Sequence, residues 1–64
     1  MKLQLKVPSM VCSSCAETIT KAVRAVDPTA VVVANPKTKL VEVETQQPQD
    51  RIARAIAQTG HILA

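Results

Sequence analysis

Apolar residues in this chain alternate between strand spacing and helix spacing, and the order of those runs restricts the fold more than any single motif. Leu3, Leu5 and Val7 alternate with Lys2, Gln4 and Lys6, the pattern of a strand with one buried side. Pro8-Ser9 ends it. Ile19, Ala22, Val23 and Val26 then recur at helical spacing, with Glu17, Lys21 and Arg24 on the other side. Ser14 and Glu17 fit a capping box that puts Cys15 at the first helical position. Asp27-Pro28 stops this helix, because proline pushes the preceding residue out of the α region.

A valine-rich strand is expected over residues 29–35. Its inward face is ambiguous, since Val31, Val32 and Val33 are consecutive. Asn35-Pro36-Lys37-Thr38 has turn composition. Residues 39–45 alternate again, with Val41 and Val43 inward and Glu42 and Glu44 outward, which completes a hairpin. Pro48 and Asp50 suit the first turn of a second helix. Ile52, Ala55 and Ile56 form its apolar stripe, with Arg51, Arg54 and Gln58 outside. Gly60, the sole glycine, stands where a left-handed residue closes a helix. Residues 61–64 read as a short last strand.

The order β-α-β-β-α-β predicts an α+β fold. It is a ferredoxin-like βαββαβ sandwich, with a four-stranded antiparallel sheet and two helices on one face. One domain spans residues 1–64. Right-handed crossovers place the first strand between the third and fourth, which sets Lys2 and Lys6 near Glu42 and Glu44. The topology also has a chemical consequence. The first strand ends at the edge where Cys12 and Cys15 follow, and the second helix climbs to the same edge. His61, over 40 residues away in sequence, is therefore expected beside the two thiols.

Composition narrows the function. There is no Phe, Tyr or Trp, so the core is built from Val, Ile, Leu, Ala and Met. The lack of aromatic platforms argues against a reader of single-stranded nucleic acid. The net charge of +3 comes from scattered residues, not a polybasic arm. Lys21, Arg24, Arg51 and Arg54 outweigh Glu17 and Asp50 on the helix faces, which suits docking to an acidic protein partner. No apolar run is long enough for a membrane span, and no secretory leader precedes the first strand. The expected compartment is cytoplasmic, where thiols stay reduced.

The two cysteines occur in Met10-Val11-Cys12-Ser13-Ser14-Cys15, followed by no further sulfur. Three chemistries compete for the pair. Structural zinc takes four protein ligands, and Cys12, Cys15 and His61 supply three at most. A thiol-disulfide couple at a helix start has a lowered thiol pKa, but the longer fold and partner residues of such enzymes are missing. Cu(I) is soft, is selected by thiolates and is satisfied by few ligands. The helix N-terminus favours the negative charge of a bis-thiolate. Met10 reads as an apolar tether under the loop rather than a ligand.

Met10-x-Cys12-x-x-Cys15 within this element order resembles the heavy-metal-associated domain of copper chaperones and copper-transporting P-type ATPases. The resemblance spans essentially the whole chain. The start at Met1 is similar to that of the soluble chaperones. His61 in the loop before the last strand resembles the cyanobacterial members, and Ser9 stands where many members have glycine. The resemblance implies a Cu(I) carrier, not an enzyme, with Cys12 and Cys15 as metal ligands. It further implies transfer by ligand exchange to the cytosolic metal-binding domain of a copper-transporting P-type ATPase. His61 is expected as an auxiliary ligand, and a metal-bridged homodimer is compatible with open coordination positions. Carriage of another soft or borderline ion, such as zinc or mercury, and thiol-disulfide redox chemistry are the alternatives.

Overall fold

The computed structural model describes residues 2–61 and residue 63. Five elements follow in order: β1 (Lys2–Lys6), α1 (Ser13–Val26), β2 (Val31–Asn35), β3 (Leu40–Glu44) and α2 (Gln49–Ala57). The strands form an antiparallel sheet in the order β1-β3-β2. The sheet thus has three strands among the described residues. The expected fourth strand falls partly on residues 62 and 64, which lie outside the described residues.

The alternation of β1 decides its faces. Leu3 and Leu5 are buried while Lys2, Gln4 and Lys6 are exposed. In register, Leu3 faces Val43 and Leu5 faces Val41. Lys2 stands opposite Glu44, and Lys6 stands diagonally from Glu42, as the alternation predicts. The pairing with β3 also resolves the valine run of β2. Val32 and Ala34 turn inward, opposite Val43 and Val41, whereas Val31 and Val33 are each 59% exposed.

Both helices cover the same face of the sheet. Ile19 and Val23 of α1 and Ile52 and Ile56 of α2 join Leu3, Leu5, Val41 and Val43 in one core. Val7, Met10 and Ala30 complete it from the connections, and Leu63 packs against it. Each such aliphatic side chain contributes about 1.5–3 kcal/mol on burial. That matters in a chain too small for a large core.

The far end of α1 from the cysteines is closed by a polar knot. Asp27 caps the helix, its N–H donating to the Val23 carbonyl at 3.0 Å. Thr45 Oγ1 donates to Asp27 Oδ2 at 2.6 Å, and Thr29 Oγ1 donates to Oδ1 at 2.7 Å. Thr45 in turn accepts from the Gln47 N–H at 3.0 Å, which joins the exit of β3 to the end of α1. These bonds, Thr45 first and Thr29 second, hold the Asp27 carboxyl below its ordinary pKa.

Candidate metal centre

The cysteine loop hangs between two buried anchors. Val7 and Met10 are both fully buried, and the Met10 N–H donates to the Val7 carbonyl at 3.0 Å. Met10 is therefore a tether in the core, as its apolar character suggests. The Val7 N–H donates to the Lys39 carbonyl at 2.8 Å, extending the β1–β3 pairing past the last residue of β1. Lys39 adopts a left-handed backbone (φ 63°), uncommon for a residue with a side chain. Its Nζ donates to the Met10 carbonyl at 3.3 Å and to the Pro36 carbonyl at 3.1 Å. The β2–β3 turn thus clamps the loop from the side.

Beyond Met10 the chain turns outward. Val11 is 67% exposed and Cys12 is exposed. Cys12 has extended backbone angles and is the N-cap of α1, its carbonyl accepting from the Ala16 N–H at 3.2 Å. This corrects the sequence expectation. The helix starts at Ser13, so Cys15 is its third residue and no capping box forms. Ser14 lies inside the first turn, where its hydroxyl meets the Cys12 sulfur at 3.2 Å instead. The chain leaves the core after Met10, and the helix begins three residues later at Ser13.

Cap and third-helical positions face each other across one turn. The Cys12 and Cys15 Sγ atoms are accordingly 3.0 Å apart, and both thiols are free. The environments differ. Cys15 is half-buried and packs against the core, while Cys12 faces solvent. The Cys12 pKa is lowered to about 7, chiefly by the hydrogen bond with the Cys15 thiol and next by the Ser14 hydroxyl. The backbone N–H groups of Cys15 and Ser14 give smaller help against a slight desolvation cost.

His61 lies beside the same loop. Its Nδ1 is 2.8 Å from Ser9 Oγ. Topology therefore brings His61 to the cysteine loop, but onto Ser9. Among the described residues, no group of three or more His, Cys, Asp or Glu side chains is placed to hold a metal ion. A closed zinc site of four protein ligands is not what this arrangement offers. Lys39, Ser14 and Ser9 are the supporting residues that patterning did not single out for these contacts. Ser9 carried a faint signal, as a departure from the usual glycine. Lys39 carried none, because a lysine in a turn reads as a solvated charge.

Two thiols this close can share a soft ion, though not without movement. Two sulfurs about 2.3 Å from one tetrahedral ion lie roughly 3.8 Å apart, and a linear ion needs more. A pair holding such an ion would have to open beyond 3.0 Å, and Cys12 is the more exposed of the two.

Residues 4–61 match the heavy-metal-associated domain. The chain belongs to that family. No curated protein matches it. Among solved structures, this heavy-metal-associated chain is similar to a mutant of the copper chaperone Atx1 from Synechocystis PCC6803 in a trimeric form. Identity is 34% and the TM-score 0.94, over 97% of this chain and 98% of that one. A structure described under crosstalk between Cu(I) and Zn(II) homeostasis is 39% identical, with TM-score 0.93 and coverage of 97% and 98%. A gold binding protein is 33% identical, with TM-score 0.87 and coverage of 95% and 97%. The α+β, ferredoxin-like architecture expected from sequence is consistent with this family, while the described residues show three strands and not the fourth. No helix among the described residues is long and apolar enough to cross a membrane.

Proposed function

We propose that this chain is one heavy-metal-associated domain, residues 1–64, acting as a cytoplasmic Cu(I) carrier. Cys12 and Cys15 bind the ion as thiolates, with His61 as an auxiliary donor. The observation that carries this reading is the sulfur pair itself, 3.0 Å apart, with one thiol anchored and the other in solvent. The Cys12 pKa near 7 supplies thiolate at neutral pH. Soft sulfur donors select Cu(I) over hard ions.

Unequal exposure gives transfer a direction. The ion leaves for the metal-binding domain of a copper-transporting P-type ATPase by ligand exchange, without enzymatic turnover. A partner thiolate adds to the ion, the Cys12–metal bond breaks, and a second partner thiolate displaces Cys15 last. Exposed Val11 offers apolar contact beside the exchanging sulfur, and Lys21, Arg24, Arg51 and Arg54, all exposed, offer positive charge. Open coordination positions also suit a metal-bridged homodimer.

An anaerobic Cu(I) titration against a coloured Cu(I) chelator tests the reading. About one Cu(I) per chain is retained, and Cys12→Ser loses it; failure of the unaltered protein to compete for Cu(I) refutes it. The second reading is carriage of another soft or borderline ion such as zinc or mercury. The relatives connected with zinc and gold favour giving it a direct competition between ions. Rapid catalytic reduction of a test disulfide by metal-free protein would instead support thiol-disulfide chemistry.

A further inference from the structure

His61 is held at one of its two ring nitrogens. Nδ1 meets Ser9 Oγ at 2.8 Å across 52 positions of sequence, and both residues are half-buried. The backbone of His61 is aimed by its neighbours. Gly60 is left-handed (φ 94°), and Thr59 Oγ1 accepts from the His61 N–H at 3.4 Å while donating to the Ile56 carbonyl at 2.6 Å. The end of α2 thus delivers the ring to Ser9, on the loop that continues into Cys12.

A neutral imidazole carries one N–H and one lone pair, and a hydroxyl pairs with either. Serine donates to a bare Nδ1 and accepts from a protonated one. In both arrangements Nδ1 is engaged, and Nε2 is the nitrogen left for an ion. A histidine that binds metal through one nitrogen ordinarily donates its other N–H to an oxygen, which fixes the ring and raises its basicity. The Ser9 hydroxyl is such an oxygen. Glycine at this position has no side-chain atom to offer.

We propose that Ser9 is a positioning residue: it holds His61 by Nδ1 so that the ring meets an ion at the cysteine pair through Nε2 alone. The hold on the ring stands on the metal-free protein, while the Nε2 contact rests on the metal-carrier reading above.

His61 is the sole histidine, so the imidazole 15N spectrum contains one ring. Metal-free protein, Ser9→Ala and Ser9→Thr are compared first, with the backbone amide spectrum confirming that each is folded. The unaltered protein and Ser9→Thr are expected to share ring shifts displaced from those of free imidazole, and Ser9→Ala to revert toward the free pattern. One equivalent of Cu(I) is then added. Nε2 is expected to take the shift of a metal-bound nitrogen and Nδ1 that of a protonated one donating to Ser9, and in Ser9→Ala binding is shared between the two nitrogens. Identical metal-free ring shifts in all three proteins would overturn the proposal. So would metal bound at Nδ1 with the proton on Nε2, or no change at either nitrogen, in protein shown to be loaded. Failure to load Cu(I) at all refutes the carrier reading instead, and the metal-free comparison still decides whether Ser9 holds the ring.

Discussion

Cys12 and Cys15 are chemically unequal although they are one residue type in one motif. Cys12 lies in solvent with a pKa lowered to about 7 by the Cys15 thiol and the Ser14 hydroxyl. Lowering means that the thiolate forms on raising pH through about 7 rather than through the ordinary thiol range. Alkylation of Cys12 by iodoacetamide, followed by peptide mass spectrometry, should rise with a midpoint near pH 7. Ser14→Ala removes one stabilising donor and should move that midpoint upward. An unmoved midpoint would show that the Ser14 contact at 3.2 Å has no effect on the thiolate.

Elements are joined here by connections as much as by packing. At the end of α1, Asp27 depends on Thr45 and Thr29. Thr45→Val leaves Asp27 Oδ2 without that donor and should cost about 1–3 kcal/mol in urea unfolding. The acid side follows from linkage. Asp27 titrates lower folded than unfolded, so its contribution is full above the ordinary aspartate value, about 3.9, and is lost as pH falls through the lower folded value. With Thr45→Val the folded value returns upward, and acid unfolding should begin at higher pH. At the other end, Lys39 ties the β2–β3 turn to the cysteine loop through Met10. Lys39→Gly relieves the left-handed backbone, a gain of about 1 kcal/mol, but removes the clamp. Overall stability should change little, while amide exchange at residues 10–12 should accelerate. Unchanged exchange there would mean that Met10 burial alone holds the loop.

At the scale of the whole molecule, one small core supports the site. Ile56→Ala should cost about 2–5 kcal/mol, a large share of the 5–15 kcal/mol typical of a folded domain. Thermal unfolding followed by circular dichroism checks this, and a loss under about 1 kcal/mol would show that the core collapses to fill the gap. Transfer of Cu(I) to an acidic partner domain should slow as salt rises, because screening weakens steering by exposed Lys21, Arg24, Arg51 and Arg54. Stopped-flow rates independent of ionic strength would remove the basic face from the transfer mechanism.

Local patterning determined much of this protein by itself. The alternations of residues 2–7 and 39–45, the stripe of Ile52, Ala55 and Ile56, and the breaks at Asp27-Pro28 and Gly60 were legible because burial imposes its period directly on the sequence. The cysteine pair was legible because three-residue spacing at a helix start brings two side chains onto one turn. Only the tertiary structure decided the rest. The facing of Val31, Val32 and Val33 was set by pairing with β3, since a uniform run carries no phase. The true start of α1 is Ser13, behind the extended Cys12 cap, and not the position given by the capping pattern at Ser14 and Glu17. The contacts of Lys39 with Met10 and of Ser9 with His61 join residues 29 and 52 positions apart. Neither side chain signals its partner in sequence, because such a hydrogen bond depends on where two separate loops arrive, and the packing of the core fixes that.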